Sequence, residues 1–361
     1  MKGKMAIMTK PSELTYREVN VPEPEKGAII AKTLRANVCG SEIHVWCGHH
    51  PAKKSGGLGH ERVGKVKKLG ENVETDYAGT PIQIGDRIAA VYYITCRKCP
   101  PCQRGEFNLC ENAYKYYSAE PEEYPYFHTT FSTHYYIHPE QYFYKVPDNV
   151  PDDVAASANS AFSQVYFGLE KAGVNYGSSI VIQGAGGLGL YAASIAKEKG
   201  ATVIMIDGVK ARLEQAKRFG ADHIIDMNEY KTAEDRMNKV AELTNQQGAD
   251  FGLEVAGVPQ AFVEGYQLLR NGGTFVTMGN VSTGRETSID PGILTRKSVQ
   301  VLPILRYQPW YLKKSLDFIS QNIDKYPYDE LFDGHFHFDE ITLALEKSTN
   351  REVTRASIII K

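Results

Sequence analysis

The stretch that decides the fold is Ile180–Gly189, IVIQGAGGLG. Ile180, Val181 and Ile182 make a short apolar run suited to a buried strand, and Gly184, Gly186 and Gly189 supply G-x-G-x-x-G with Gly187 as an extra glycine. From Leu188 to Lys199 the pattern turns alanine-rich and helical. Each glycine serves a physical purpose. One makes the tight turn, one lets backbone approach a pyrophosphate, and one lets helix and strand pack closely. The helix that follows directs N–H groups and a positive dipole end at the phosphates. Such a motif is weak alone, but here a strand precedes it and a helix follows. A second apolar run, Thr202–Ile206, ends on Asp207. That is about 20 residues on, where a ribose-binding acid belongs.

Outward from this point the chain alternates. Helices are predicted over Val209–Phe219, Tyr230–Gln246 and Pro259–Leu269, with strands His223–Asp226, Phe251–Val255 and Thr274–Met278 between and after them. This is the rhythm of a doubly wound βαβ domain. Upstream, Leu14–Val19, Ala28–Leu34, Val63–Val66, Phe131–Tyr136 and Tyr142–Val146 read as short strands of a β-rich domain. Downstream, helices Tyr311–Gln321 and Glu340–Lys347 precede a strand at Ala356–Ile360. With 361 residues, two domains are expected. A net charge of −2 gives no reason to expect a nucleic-acid or membrane surface. The opening residues Met1-Lys2-Gly3-Lys4 lack a signal-peptide core, so a cytoplasmic location is the default expectation.

Four of the six cysteines, Cys96, Cys99, Cys102 and Cys110, crowd into one short segment. Four thiolates at this spacing can close a tetrahedron around zinc with no open position, which makes a structural rather than a chemical site. A redox or iron–sulfur role is the alternative. A second set precedes it: Cys39-Gly40-Ser41-Glu42-Ile43-His44, then Gly59-His60-Glu61. Thiolate and imidazole are good zinc ligands, and a carboxylate beside the histidine can support or replace one. Ser41 and His44 could pass a proton from a bound alcohol to solvent. Cys47, His49 and His50 match no ligand spacing and read as loop residues.

Together, these motifs resemble the zinc-containing medium-chain dehydrogenase/reductase family, which includes alcohol and sorbitol dehydrogenases. The carrying residues are the Cys39–His44 and Gly59–Glu61 segments, the four-cysteine lobe, and Gly184-Ala185-Gly186-Gly187-Leu188-Gly189 with Asp207. The resemblance implies a GroES-like β-barrel catalytic domain built from residues 1–155 and 301–361, with a zinc lobe at 92–115. A Rossmann domain over 156–300 is inserted between them. It implies a catalytic zinc on Cys39 and His60, Glu61 as the nearby carboxylate, and Ser41 and His44 as the proton relay. Tyr92 would line the substrate pocket, with Trp46 a further aromatic wall, and Arg212 would sit near the adenosine ribose. The expected chemistry is hydride transfer between a secondary, medium-sized or cyclic alcohol and NAD, zinc polarising the oxygen. Relatives form dimers or tetramers, and an open sheet edge near Thr274–Met278 is the expected contact.

One departure stands out. The family's third zinc ligand, a cysteine or carboxylate, aligns with Ser160, or with Asn159 if the alignment shifts by one. Neither a hydroxyl nor a neutral amide is a good zinc ligand at neutral pH. Two other readings follow: a relative without catalytic zinc that reduces an alkene or runs redox-neutral chemistry on bound NAD, and a cofactor-binding protein with an inactive centre.

Overall fold

In a computed structural model, which describes residues 1–49, 53–280 and 283–360, the chain forms two compact units. One is Met1–Ser163 with Arg306–Lys361; the other is Gln164–Leu305. His50 lies outside the described residues.

The second unit is organised by Ser179–Gln183, whose Ile180, Val181 and Ile182 are fully buried. It is one of two central strands in a six-stranded, wholly parallel sheet. The spatial order is His223–Asp226, Thr202–Asp207, Ser179–Gln183, Ala249–Glu254, Leu269–Thr277, Gln300–Pro303. The order reverses between Ser179–Gln183 and Ala249–Glu254, the switch point at which doubly wound sheets take their ligands. Apolar runs without alternation suit strands covered on both faces. Helices Gly187–Glu198, Lys210–Arg218, Ala233–Leu243 and Pro259–Gln267 supply the crossovers.

One sheet expectation fails. An open edge is expected at residues 274–278, but Leu269–Thr277 is flanked by Ala249–Glu254 on one side and Gln300–Pro303 on the other. The edge is Gln300–Pro303, a four-residue strand too short to announce itself by periodicity.

The first unit is β-rich. Its larger sheet has seven strands: Gly334–His337, Ala356–Ile359, Ile29–Asn37, Glu61–Leu69, Arg87–Ala90 and Phe143–Lys145 in order, with His134–Ile137 also paired to Ile29–Asn37. Ala356–Ile359 runs antiparallel to Ile29–Asn37, so the end of the chain closes the sheet begun near its start. A smaller sheet pairs Lys2–Lys10 with Glu13–Asn20 and Gly56–Gly57. Trp46 does not line a pocket: it is 2% exposed and packs in the core with Met8, Leu58, Phe131, Phe336 and Leu345. An indole of this size is worth most to stability when its whole surface is covered.

Candidate active site

The centre of the first unit is built from three elements. Cys39 stands in extended conformation (φ −92°) just before the helix Gly40–Trp46. Glu42, in the first turn of that helix, folds back so that Oε2 accepts the Cys39 backbone N–H at 3.1 Å. Its Oε1 meets His60 Nδ1. The other ring nitrogen, His60 Nε2, lies 2.9 Å from Ser160 Oγ. Ligand atoms of Cys39, Glu42 and His60 all fall within 4.8 Å of one another. Burial by itself would depress the His60 imidazole, but Glu42 and Cys39 outweigh it and hold the ring well above its ordinary value.

Ser160 reaches this point because of a local irregularity. Residues Ala158–Phe162 form a π-helical turn inside an otherwise α-helical run. Such bulges re-aim side chains and recur at functional sites. The turn is tied down on both sides. Asn159 Nδ2 donates to the carbonyls of His60 and Ala90, each at 2.9 Å, and the Tyr307 hydroxyl donates to the Asn159 carbonyl. Ser160, not Asn159, therefore faces His60.

Glu61 is expected beside the metal, and its geometry is different. Its carboxylate is fully buried and paired with Arg355. Glu61 opens the strand Glu61–Leu69, which His60 precedes, and its carboxylate is engaged by Arg355 rather than by the imidazole. The carboxylate that meets the imidazole is Glu42. Ser41 and His44 lie on the same helix, three residues apart and so on one face, Ser41 exposed and His44 half-buried. Tyr92 packs its ring 4.9 Å from that of His60.

The four-cysteine lobe shows a donor set that fits zinc. The sulfurs of Cys96, Cys99, Cys102 and Cys110 lie within 4.8 Å of one another, Cys99 and Cys110 at 4.0 Å, and all are free thiols. A tetrahedron with bonds of about 2.3 Å has edges near 3.8 Å, so little contraction is needed. N–H groups already address the sulfurs: Cys99 N and Asn112 Nδ2 donate to Cys96 Sγ at 3.4 and 3.3 Å, and Cys96 N donates to Cys110 Sγ at 3.4 Å. Burial raises the Cys96 thiol, yet hydrogen bonds from the backbone of Lys98 and Cys99 and from the Asn112 and Cys99 side chains win and bring it down to about 6. The Cys39 centre fits less completely: one thiolate, one imidazole and a hydroxyl in the third position.

In the second unit, Gly184 has φ +107° and a Cβ there would lie 3.0 Å from Ala256 backbone. A Cβ on Gly189 would lie 1.9 Å from the Gly184 carbonyl oxygen, so the loop closes only with glycine at that position. At Gly186 nothing lies within 4 Å of an added Cβ, leaving the space a phosphate requires. Gly187 and Leu188 open the helix Gly187–Glu198. Asp207 ends its strand with Oδ2 accepting Ala185 N–H at 2.7 Å and Oδ1 accepting Val209 N–H at 2.8 Å. Its carboxylate is thus fixed against the glycine loop. Arg212 sits half-buried in the next helix, Lys210–Arg218.

Residues 25–148 match the family described as the alcohol dehydrogenase GroES-like domain, and residues 187–321 match the zinc-binding dehydrogenase family. A sorbitol dehydrogenase of Halalkalibacterium halodurans is 32% identical over 280 residues, 77% of this chain and 74% of that one. The chain belongs to the zinc-containing medium-chain dehydrogenase/reductase family. A 5-exo-hydroxycamphor dehydrogenase of Pseudomonas putida is 29% identical over 347 residues, 95% of each chain. A solved alcohol dehydrogenase of Thermotoga maritima superposes with a TM-score of 0.93 at 29% identity, covering 99% of both chains. This medium-chain dehydrogenase is accordingly an alcohol dehydrogenase-like oxidoreductase of a family that uses zinc and a nicotinamide cofactor.

Proposed function

We propose that the protein oxidises a secondary, medium-sized or cyclic alcohol with NAD, or runs the reverse reduction. The observation that carries this reading is the grouping of Cys39 with His60, whose Nε2 meets Ser160 Oγ and whose ring packs against Tyr92. Cys39 and His60 are the residues that would hold zinc, and zinc bound there would supply Lewis-acid polarisation of the alcohol oxygen. Glu42 braces the imidazole from behind through Nδ1, fixing which nitrogen faces the centre. Ser41 and His44 take the hydroxyl proton outward, and a bound nicotinamide would supply the hydride acceptor. Glu61, held by Arg355, anchors the start of the strand that follows His60. Cys96, Cys99, Cys102 and Cys110 would hold a second zinc, which would serve structure and not chemistry. Six thiols without a disulfide suit a reducing compartment, and we place the enzyme in the cytoplasm.

NAD is proposed over NADP because Asp207 offers a fixed carboxylate where a 2′-hydroxyl would donate and a 2′-phosphate would be repelled. Arg212 lies near the adenosine ribose in this reading. Ser160 supports a second reading, in which the centre is left without metal and bound NAD serves other chemistry. The test is NADH formation from a panel of secondary and cyclic alcohols, run in parallel with NADP. The expected result is turnover with NAD preferred, and a shift toward NADP in Asp207→Gly. Equal efficiency with both cofactors would overturn the assignment of Asp207.

A further inference from the structure

Glu254 closes the strand Ala249–Glu254 and takes no part in the chemistry proposed above. It is fully buried, and neutral donors meet its carboxylate. Oε1 accepts the Gly257 N–H at 2.7 Å. Oε2 accepts the Asn280 side-chain amide at 3.0 Å and the Thr277 hydroxyl at 3.4 Å. The Glu254 main-chain carbonyl accepts the Met278 and Gly279 N–H groups at 3.2 and 3.1 Å. One residue thus holds two loops, 255–258 after its own strand and 278–280 after the neighbouring strand Leu269–Thr277. The loops meet with no space between them: a Cβ on Gly279 would lie 2.5 Å from Glu254 Oε1 and 2.8 Å from Gly257 N. Burying a carboxylate on neutral partners is costly, so its retention needs a purpose beyond filling the core.

Register sets Glu254 level with Gln183 on one side and with Thr277 on the other, so three strands end together at the carboxyl edge of the sheet. The pairing with Gln183 is the switch point. Asp207, the ribose-type acid, lies on the Thr202–Asp207 side of it. A dinucleotide fold places its second mononucleotide half across the switch, over the ends of Ala249–Glu254 and Leu269–Thr277. Loops 255–258 and 278–280 stand there. We propose that Glu254 is a positioning residue for the nicotinamide half of the cofactor. It ties the two loops together and so fixes the backbone against which that half would rest. Having no exposed surface, it acts through the loops and not by touching the cofactor. The proposal rests on the nicotinamide-cofactor reading and adds to it a residue outside the glycine loop.

The test uses the full-length protein and two ligands alike in adenosine and diphosphate but differing in the nicotinamide: NADH and ADP-ribose, with dissociation constants from calorimetry. The native protein is expected to bind NADH about tenfold more tightly than ADP-ribose. Glu254→Ala removes the side-chain ties and should bring NADH down to the affinity of ADP-ribose. ADP-ribose itself should bind as before, which shows that the glycine loop is still folded. Gly279→Ala drives a methyl into the place of the carboxylate and should give the same selective loss with Glu254 present. Glu254→Gln keeps an acceptor for the Gly257 N–H and should recover part of the ratio. A native ratio near one, an unchanged ratio in Glu254→Ala, or an equal loss of both ligands in both alanine variants overturns the proposal. Native protein that binds neither ligand fails the cofactor reading itself. Native protein that binds both, with variants that keep its ratio, fails Glu254 alone.

Discussion

In the proposed reading, Ser160 is the residue on which a catalytic metal would turn. Its hydroxyl, 2.9 Å from His60 Nε2, would stand in the place of a third ligand without the negative charge that a thiolate or carboxylate would bring. The zinc content of the native protein should therefore lie nearer one ion per chain than two, the cysteine lobe being full and the centre under-filled. Ser160→Cys should raise the content toward two and increase alcohol turnover by about tenfold or more. Elemental analysis and NADH formation on both proteins check this. Two tightly held zincs in the native protein, with no gain from the substitution, would contradict it. Cys39, His60 and the serine were legible as a spaced pattern. Glu42 was not, because adjacency to His60 favours Glu61, and only the fold shows Glu61 paired with Arg355 and Glu42 brought back to the imidazole. Nor was the π-helical turn that aims Ser160, since Ala158–Phe162 carries no local signal distinguishing it from ordinary helix.

At the scale of elements, the segment around 116–138 contains buried imidazoles in an aromatic stack. His138 lies face to face with Tyr116 at 3.3 Å and parallel to His128 at 5.6 Å. Burial is the leading cause that lowers all three histidines of this region: His138 to about 3, His134 to about 4, and His128 in the same direction. The folded state keeps these rings neutral, while the unfolded chain protonates near 6.5. Their contribution to stability is thus complete above pH 6.5 and is lost as pH falls from 6.5 toward 4 and 3. The melting temperature should drop through that window, and His138→Phe should flatten the decline. A melting temperature independent of pH between 7 and 4 would contradict the burial argument. The strand and helix order of the 179–277 region was readable because apolar runs and helical periods alternate cleanly there. Gln300–Pro303 and the helix Pro291–Lys297 escaped because each is brief and largely exposed.

For the whole molecule, the exposed edge of the parallel sheet makes association the expected state. Gln300–Pro303 pairs on one side only among the described residues, and Val301 on it is 37% exposed. An unpaired edge of this kind is satisfied most simply by a second copy across a two-fold axis. Light scattering at micromolar concentration should give a dimer or tetramer, and Val301→Lys should reduce the assembly size; a monodisperse native monomer would contradict this. The most direct test of the central claim follows the hydride itself. Purified, zinc-supplied protein is incubated with NAD and a secondary cyclic alcohol deuterated at its carbinol carbon, and the reduced nicotinamide is weighed by mass spectrometry. The expected product is NADH one mass unit heavier than that formed from the unlabelled alcohol. Reduced cofactor without the label, or no reduced cofactor from any alcohol of the class while NAD still binds, would contradict it.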